Sequence, residues 1–458
     1  MNILMVTSAA PAKSPFFTGE KRPPLGVGSI ISTLRQKGHS VFFIDNYLRP
    51  SSFIQEGFLQ NNGIDFVGVY TNTICYRDSA KMFSEMNELR KTGSWNGKII
   101  AGGPHTSVAL ETIPDFVDHI VLGEGEKAIS DVIENISGER IIRKERIKDL
   151  DSLPFQPWDI YAGMPYDFSC PWLDIQPIFT MNTSRGCPFQ CSFCSVSSIW
   201  GRECTLFGAA RIIEEIEYVI TTFGAKGIYF REDNFTMNKK RIEEFCELIL
   251  KKNLRFSWAC ESRADTLRDK NLLELMHRAG LSAVYIGVES GSQRILDMLN
   301  KKISVDDIEQ SIRLCKKFNI RTYCSLIIGV PGEMPEDYLM TEKLMQKLKP
   351  FQHFYNIFVG IPKSRLYRYA LENNFYEHID DLGLVYPPGY NIKTKVFYGM
   401  ESTQLIDHEF QMRTELDNFL ISKPQNKYLR YGILGRLLNV FRASLKNILS
   451  GRKQGATR

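Results

Sequence analysis

The strongest constraint on this 458-residue chain is a loop that carries three closely spaced cysteines, Cys187, Cys191 and Cys194. Thiolates are soft ligands that bind iron and zinc directly, and a [4Fe–4S] cluster takes four ligands. Three cysteines on one loop can hold such a cluster and leave one iron open for a reactant. A zinc site would need a fourth Cys or His at a suitable spacing, and Cys204 is the only nearby candidate. The loop therefore predicts a catalytic iron–sulfur centre, with structural zinc as the weaker alternative.

The overall composition is that of a globular protein. Hydrophobic residues make up 43% and charged residues 24% of the chain, and a net charge of +5 over this length does not indicate nucleic acid as a partner. No apolar run reaches the roughly 18 residues of a membrane-spanning helix, and the N-terminus is predicted to be a strand rather than a signal peptide. We therefore expect a cytoplasmic protein, and we expect most of its other cysteines to be buried core residues rather than disulfide partners.

Residues 1–140 alternate short apolar runs with helical patterns. The predicted strands are residues 3–7, 41–45, 66–70, 98–101 and 119–122, and helices are predicted at 28–37 and 79–90. This alternation predicts a doubly wound, Rossmann-like parallel sheet, whose ligand lies beyond the carboxyl ends of the strands. Three glycine-rich loops are expected there, and their candidate cofactor-binding residues are Pro24, Gly26, Gly28, Gly102, Gly103, Gly123 and Gly125.

A second α/β series follows a proline-rich linker at residues 141–175. Over residues 176–376, six strands are predicted at 178–183, 227–230, 255–260, 283–288, 322–328 and 353–358. This arrangement predicts a partial (β/α)6 barrel of TIM type, with its chemistry at the carboxyl ends of the strands. Residues 377–458 are expected to shape the substrate side and to end in a basic amphipathic helix at 428–448. Docking of that helix on the barrel is favoured over contact with a membrane surface.

The cysteine loop resembles the signature of the radical S-adenosylmethionine (SAM) superfamily. The matching features are the C-x-x-x-C-x-x-C spacing, the preceding Arg185-Gly186 pair, Pro188, and the aromatic Phe193 before the last cysteine. The resemblance implies that the three cysteines are the catalytic ligands of a [4Fe–4S] cluster. It also implies that the open iron chelates the amino and carboxylate groups of SAM, and that reductive cleavage of SAM gives a 5′-deoxyadenosyl radical.

The ends of the later barrel strands resemble the SAM-binding positions of the same family. On this resemblance, Glu232 and Asp233 bind the amino group of SAM and Arg263 binds its carboxylate. Glu289, with Ser290, matches the ribose-binding position, and the backbone near Gly329 flanks the adenine. The sixth strand departs from the family, since residues 360–367 lack a Pro-Gly-Thr turn.

Residues 1–140 resemble the B12-binding domain of cobalamin-dependent radical SAM proteins, on the strength of the glycine-rich segments. The D-x-H-x-x-G segment that supplies a cobalt-ligating histidine elsewhere is absent, because Asp45 is followed by Asn46, Tyr47 and Leu48. Cobalamin is therefore expected to bind without a protein histidine on cobalt. A domain that has lost cobalamin and only packs on the barrel is the alternative. His105 is expected to be a hydrogen-bonding or surface residue rather than a metal ligand.

The function implied by the two resemblances is methylation of an unactivated carbon in a secondary metabolite, lipid or cofactor precursor. A radical SAM cyclase or oxidoreductase with the same domains is the main alternative, and a non-catalytic cobalamin or Fe–S sensor is the second. The expected partners are a small-molecule substrate and an electron donor such as flavodoxin or ferredoxin. The sequence leaves the identity of the substrate and the oligomeric state open.

Overall fold

The computed structural model describes residues 1–9, 21–358, 360 and 364–373, together with four two-residue strands between His378 and Phe397. The predicted amphipathic helix at 428–448 lies outside the described residues. Within the described part of the chain, no helix combines the length and apolar character needed to cross a membrane.

The front of the chain forms a six-stranded parallel sheet with the order β2-β1-β3-β4-β5-β6. Its strands are β1 (Asn2–Thr7), β2 (Ser40–Asp45), β3 (Phe66–Tyr70), β4 (Lys98–Gly102), β5 (His119–Leu122) and β6 (Ile141–Arg143). Its helices are α1 (Leu25–Gln36), α2 (Phe58–Asn61), α3 (Tyr76–Lys91), α4 (Pro104–Val108) and α5 (Gly125–Ile133). The chain reverses direction across the sheet between β1 and β3. In doubly wound sheets this switch point creates a crevice at the carboxyl edge, where ligands bind.

Two sequence expectations for this region were wrong. Helix α1 begins at Leu25, so the segment predicted as a glycine-rich loop is the first part of a helix. Gly28 lies inside that helix, and a Cβ atom there would collide with the Tyr161 hydroxyl and the Gln156 side chain. This glycine therefore permits close packing rather than a loop. In addition, β6 pairs with β5, so the first sheet continues past residue 140 into the predicted linker.

The second sheet is also parallel and has the order β7-β10-β11-β12-β13-β14. Its strands are β7 (Ile178–Met181), β10 (Gly227–Phe230), β11 (Ser257–Ser262), β12 (Leu281–Glu289), β13 (Arg321–Ile328) and β14 (Gln352–Ile357), and a small antiparallel pair is formed by β8 (Ser184–Arg185) and β9 (Thr205–Leu206). The helices are α6 (Trp158–Ala162), α7 (Val196–Trp200), α8 (Ala209–Phe223), α9 (Lys239–Lys251), α10 (Lys270–Arg278), α11 (Gln293–Met298), α12 (Val305–Lys317), α13 (Pro335–Leu348) and α14 (Arg365–Glu372). All six predicted barrel strands are present, each within a few residues of its expected bounds.

The predicted linker contributes large side chains to the core. Trp158 and Tyr161 on α6 are fully buried among residues that pack the barrel strands against their helices. The Tyr161 hydroxyl donates to the carbonyl oxygen of Pro24 (3.0 Å), and the Trp158 indole donates to Glu215 (2.8 Å). Because these partners lie on both sides of the linker sequence, α6 ties the first helix of the front domain to the barrel.

Candidate active site

The cysteine loop begins directly after the first barrel strand. Its base is closed where β8 pairs with β9, with Arg185 opposite Thr205. Gly186 has a φ of +82°, and a Cβ atom there would collide with the carbonyl oxygen of Glu203. Only glycine therefore fits the turn that leads into Cys187.

The three motif thiols are half-buried. Burial raises the pKa of Cys194 to about 11 and also raises the pKa of Cys187. Among the described residues, no group of three or more His, Cys, Asp or Glu side chains is arranged to hold a single metal ion. Three sulfur ligands on one loop fit a [4Fe–4S] cluster, whose cysteines bind separate irons.

Contacts within the protein fix the shape of the cysteine loop. The Ser192 N–H donates to the carbonyl oxygen of Leu299 (2.8 Å), which follows α11. The guanidinium carbon of Arg263 lies 3.8 Å from the centre of the Phe189 ring. In the sequence, Phe189 lies between Cys187 and Cys191, the first two cysteines of the motif. A cation over an aromatic face is attractive, and more so when both groups are desolvated. The loop is therefore supported from β11 and from the segment after α11.

The two acidic residues after β10 have different environments. The Glu232 side chain is 2% exposed and accepts hydrogen bonds from the Thr183 N–H (2.7 Å), the Thr183 hydroxyl (2.8 Å) and the Ser184 hydroxyl (2.6 Å). The Arg241 guanidinium lies 3.8 Å away. Asp233 is exposed to a cavity, where poor hydration and the Glu232 charge raise its pKa to about 6. Glu232 is thus committed to the protein, whereas Asp233 is the carboxylate accessible to a ligand.

The residues predicted to bind the SAM carboxylate and ribose are both ion-paired within the protein. Arg263 pairs with Asp265 (3.1 Å) and donates to the carbonyl oxygen of Lys301 (2.8 Å). Glu289 pairs with the Lys301 ammonium (2.6 Å) and has a left-handed backbone, with a φ of +63°. A non-glycine residue in this conformation stores about 1–3 kcal/mol of strain, and such strain clusters at ligand sites. Gly287 leaves the room for this ion pair.

Ser290 and Gly329 complete the predicted SAM contacts. Ser290 is fully buried, and its hydroxyl lies 3.2 Å from that of Thr341 on α13. Gly329 has a φ of +76°, and its N–H donates to the carboxylate of Glu333 (2.6 Å), whose pKa is raised by burial to about 7. The Ser290 hydroxyl is therefore used in packing, whereas Gly329 forms a turn at the carboxyl edge of the barrel.

A cavity of about 600 Å³ lies between the carboxyl ends of the two sheets. Its front-domain wall includes five of the predicted glycines, namely Gly26, Gly102, Gly103, Gly123 and Gly125. Its barrel wall includes Asn182, Ser184, Arg185, Gly186, Arg231, Glu232, Asp233 and Glu261. Of the other predicted residues, Pro24 borders an adjoining cavity of about 270 Å³, and neither cavity is lined by Gly28, the motif cysteines, Arg263, Glu289, Ser290 or Gly329.

The front-domain wall suits a large flat ligand. A Cβ atom at Gly26 or Gly123 would meet no atom of the protein within 4 Å, so any side chain there would project into open space. Gly103 has a φ of +107°, and a Cβ atom there would collide with the Thr71 carbonyl oxygen. These glycines keep the wall free of side chains and let it lie close to a ligand. A corrin macrocycle fits this wall.

Asp45 and His105, the two front-domain residues that the sequence brought into question for cobalt ligation, already have hydrogen-bond partners within the protein. Asp45 accepts a hydrogen bond from Thr7 (2.5 Å) and from the N–H groups of Tyr47 (3.0 Å) and Leu48 (3.2 Å). His105 is buried, and its ring nitrogens lie near the hydroxyls of Thr73 (3.2 Å) and Thr112 (2.9 Å). Burial lowers the pKa of His105 to about 4. It is therefore a neutral hydrogen-bonding residue, as the sequence predicted.

Sequence reasoning assigned no role to two acidic residues of the cavity wall, Glu126 and Glu261. Glu261 accepts a hydrogen bond from the Tyr229 hydroxyl (2.6 Å), and burial raises its pKa to about 7. Alternation along β11 could have indicated that Glu261 shares the inner face with Ala259. Glu126 pairs with Arg185 of the cysteine loop (2.6 Å). No local sequence pattern indicates this pairing, because the two residues lie in different domains.

Two protein families match the chain, and each match covers most of the strands of one sheet. The Radical SAM superfamily matches residues 181–345, and the B12 binding domain matches residues 18–133.

Curated relatives and solved structures are similar to much of the chain. The chain is 30% identical over 399 residues to the uncharacterized methyltransferase PH0819 of Pyrococcus horikoshii, covering 82% of this chain and 84% of the relative. It is 27% identical over 300 residues to the anaerobic magnesium-protoporphyrin IX monomethyl ester cyclase of Rubrivivax gelatinosus, covering 59% of this chain and 52% of the relative. The structure of the cobalamin-dependent SAM radical enzyme OxsB with aqua-cobalamin bound aligns with a TM-score of 0.72 at 17% identity, over 84% of this chain and 64% of OxsB.

Proposed function

The chain belongs to the radical SAM superfamily and carries a B12-binding domain, and from this premise we propose that it methylates an unactivated carbon of a small molecule. The observation that carries the proposal is the shared cavity, because its walls are the carboxyl edges of both sheets. A substrate held there would face the glycine wall on one side and the base of the cysteine loop on the other.

The residues of the cysteine loop and the glycine wall are suited to hold the cofactors. Cys187, Cys191 and Cys194 would hold the [4Fe–4S] cluster, and Gly26 and Gly123 would lie against cobalamin. When bound, the cluster supplies the electron that cleaves SAM to a 5′-deoxyadenosyl radical, and cobalamin supplies the methyl group. The protein contributes the binding, orientation and exclusion of water that such cofactor chemistry requires.

The acidic pair after β10 divides into a binding residue and a positioning residue. Asp233 is exposed to the cavity, and its negative charge contributes to the raised pKa of the Cys187 and Cys194 thiols. Its carboxylate is therefore placed to accept hydrogen bonds from the ammonium group of SAM. Glu232 holds the chain at Thr183, just before the cysteine loop. We therefore assign SAM binding to Asp233 and a positioning role to Glu232.

The remaining SAM contacts are proposed on the family resemblance and on their position. Glu289 combines a strained backbone with a carboxylate at the carboxyl edge of β12, which supports a role in binding the ribose hydroxyls. Gly329 directly follows β13 at the same edge, beside the expected adenine. Arg263 would act mainly by supporting Phe189 in the cysteine loop, since Asp265 already occupies its guanidinium.

Several wider assignments belong to the same proposal. The electron would come from a reduced flavodoxin or ferredoxin, and the chain would work in the cytoplasm. The B12-binding domain would end near Arg143 rather than at residue 140, because β6 completes its sheet. The radical SAM barrel would occupy residues 176–376, and residues 377–458 would complete the substrate side.

The direct test uses anaerobically reconstituted protein, cobalamin, a strong reductant and SAM whose methyl group carries deuterium. An extract of small molecules from the source cells serves as the substrate pool, and mass spectrometry searches for products that gain a trideuteromethyl group. A labelled product that needs both cobalamin and SAM supports methylation. Formation of 5′-deoxyadenosine with no labelled product under any condition would contradict it.

A radical cyclase is the second candidate, because a relative with 27% identity over 300 residues carries that activity in its name. The same experiment separates the two functions. A cyclase product loses hydrogen and gains no deuterium from SAM, whereas a methylated product gains the label. Absence of all SAM turnover in protein loaded with iron and cobalamin would instead favour a sensor.

A further inference from the structure

A buried ion pair connects the two domains at the wall of the cavity. Arg185 donates to both carboxylate oxygens of Glu126, at 2.6 and 3.3 Å, in a two-point geometry. The Ser29 hydroxyl donates to the same carboxylate (2.6 Å). Bidentate pairs of a guanidinium and a carboxylate fix orientation as well as distance. The contact therefore restricts both the separation and the relative rotation of the groups it joins.

Both partners of this pair are shielded from water. The Arg185 side chain is 14% exposed and the Glu126 side chain is 4% exposed. The guanidinium and its hydrogen bonds hold the pKa of Glu126 below its usual value in spite of burial. Glu124 lies 3.4 Å from the same guanidinium, so loss of the Glu126 carboxylate removes the two-point contact while part of the charge balance of Arg185 remains. The two domains are thus held together at this point by a strong and directional contact.

The position of the pair relates it to both proposed cofactor sites. Glu126 lies in the first turn of α5, directly after the Gly123–Gly125 segment of the glycine wall. Arg185 stands two residues before Cys187, on the short strand that closes the base of the cysteine loop. A shift of Glu126 relative to Arg185 would therefore move the glycine wall relative to the cysteine loop.

A second arginine reinforces the same joint. Arg146 donates to the carbonyl oxygen of Arg185 (2.8 Å) and to the Thr205 hydroxyl (2.7 Å), so it binds both strands at the base of the cysteine loop. Its Nε lies 3.8 Å from Glu124. Glu124 in turn accepts a hydrogen bond from the Ile147 N–H (2.6 Å). The joint is therefore a network that includes two acidic residues beside the glycine wall and two arginines beside the cysteines.

We propose that the Arg185–Glu126 pair is a positioning device that sets the distance and orientation between bound cobalamin and SAM at the cluster. This inference rests on the proposed function, because it concerns passage of a methyl group from SAM to cobalamin. In that step the methyl carbon leaves the sulfur of SAM, which keeps the bonding electron pair and becomes S-adenosylhomocysteine. Cob(I)alamin supplies the electron pair for the new bond. Reductive cleavage of SAM would need the cluster and an external reductant that supplies its electron, and it does not depend on this alignment.

The test compares Glu126→Gln, which keeps the shape of the side chain, with Asp118→Asn as the matched control. Asp118 forms a two-point pair with Arg90 within the front domain, at 2.9 and 3.1 Å, away from the cavity. Each protein, loaded with cluster and cob(I)alamin, is given SAM and a strong reductant, and S-adenosylhomocysteine and 5′-deoxyadenosine are measured. For Glu126→Gln we expect S-adenosylhomocysteine formation to fall by about 100-fold, because misplacement by about 1 Å costs that much. Formation of 5′-deoxyadenosine should change by less than about threefold.

A readout without cofactors tests the joint itself. Amide hydrogen exchange in the unloaded Glu126→Gln protein should rise by about tenfold or more in the peptides that contain Ser184–Arg185 and Gly125. Asp118→Asn should leave both peptides unchanged. Arg185→Lys, which keeps the charge and removes the two-point geometry, is the second variant. It should shift both readouts in the same direction by a smaller factor.

The outcomes separate the inference from the proposed function. Equal losses of both SAM products in Glu126→Gln, or unchanged S-adenosylhomocysteine formation, would overturn the positioning role. If the wild-type protein forms no S-adenosylhomocysteine, the proposed methyl transfer fails. Hydrogen exchange then tests only whether the Arg185–Glu126 pair holds the two domains together. Unchanged exchange in both Glu126→Gln and Arg185→Lys would overturn that role.

Discussion

Replacement of Glu232 by Gln distinguishes a residue that holds the protein together from one that binds SAM. The carboxylate is the centre of a buried group in which three hydrogen bonds converge from Thr183 and Ser184. It is also the partner of Arg241, whose side chain is 6% exposed and whose pKa is lowered by burial. An amide cannot balance that charge, and its NH2 group faces hydroxyls that already donate to the carboxylate.

The expected cost follows from the burial and the geometry. Breaking a buried ion pair by removing one partner costs about 3–5 kcal/mol. The Arg241–Glu232 separation of 3.8 Å is long for such a pair, which places the cost near the lower end, at about 3 kcal/mol. For a unit of the size of the barrel, this corresponds to a fall in melting temperature of roughly 6–12 °C.

Asp233→Asn is the matched control, because it makes the same chemical change one residue later at an exposed position. Its stability should not fall below that of the wild type, because burial and the Glu232 charge raise the pKa of Asp233 and so disfavour its ionised form in the folded protein, while its affinity for SAM falls. Thermal unfolding of cluster-loaded protein without SAM, followed by equilibrium binding of SAM, measures both effects. The reasoning is refuted if Glu232→Gln unfolds like the wild type, or if Asp233→Asn is the less stable of the two.

Three further predictions concern other parts of the site. Replacing any one of the three motif cysteines by Ala removes the iron–sulfur absorbance and 5′-deoxyadenosine formation, whereas Cys204→Ala keeps both. Gly103→Ala lowers the free energy of unfolding by about 3 kcal/mol, through backbone strain and collision with the Thr71 carbonyl oxygen. By contrast, Gly26→Ala does not lower the free energy of unfolding in denaturant, since Gly26 lies in helix α1 with open space around it, and it weakens cobalamin binding in equilibrium dialysis. Glu261→Gln becomes more stable than the wild type as the pH rises from about 4.5 to 7, by up to about 3 kcal/mol. The reason is that burial disfavours the ionised carboxylate in the folded wild type. A stability difference that does not change with pH would contradict this.

The strands and the cysteine loop could be predicted because their signals are local. Strand β10 is four apolar or small residues between two helical patterns, and its predicted and observed bounds are identical. The cysteine spacing is likewise a property of eight consecutive residues. The same local reasoning placed Gly26 and Gly28 in a loop, whereas both lie in helix α1, because glycines favour loops only where no neighbouring surface calls for close packing. At Gly28 that surface is Tyr161, more than a hundred residues later in the chain.

The roles of individual charged residues could not be read from the sequence, since they depend on partners that are distant along the chain. Glu232 and Asp233 are adjacent and chemically similar, yet their environments differ because only Glu232 reaches the chain at Thr183. Arg185 lies inside the most recognisable motif, but its partner Glu126 lies in another domain. A family resemblance shows where along the strands the binding residues lie. The structure shows which hydrogen-bond and ion-pair partners each of these side chains has.

The linker adds a constraint on where substrate can react. Trp172, which the sequence placed in an irregular segment, packs on the inner face of the barrel sheet against Tyr229, Tyr285 and Tyr323, with ring centres 4.7 to 5.3 Å apart. Asp174, two residues later, pairs with Arg321 at the amino end of β13. Trp172 therefore fills the inner face from the amino-terminal side of the strands. The space that remains at the carboxyl edge is the cavity shared with the front domain. A small molecule that reaches this space is consequently held between the glycine wall and the barrel wall that includes Asp233 and the base of the cysteine loop, and such fixed placement is what transfer of a methyl group to a substrate radical requires.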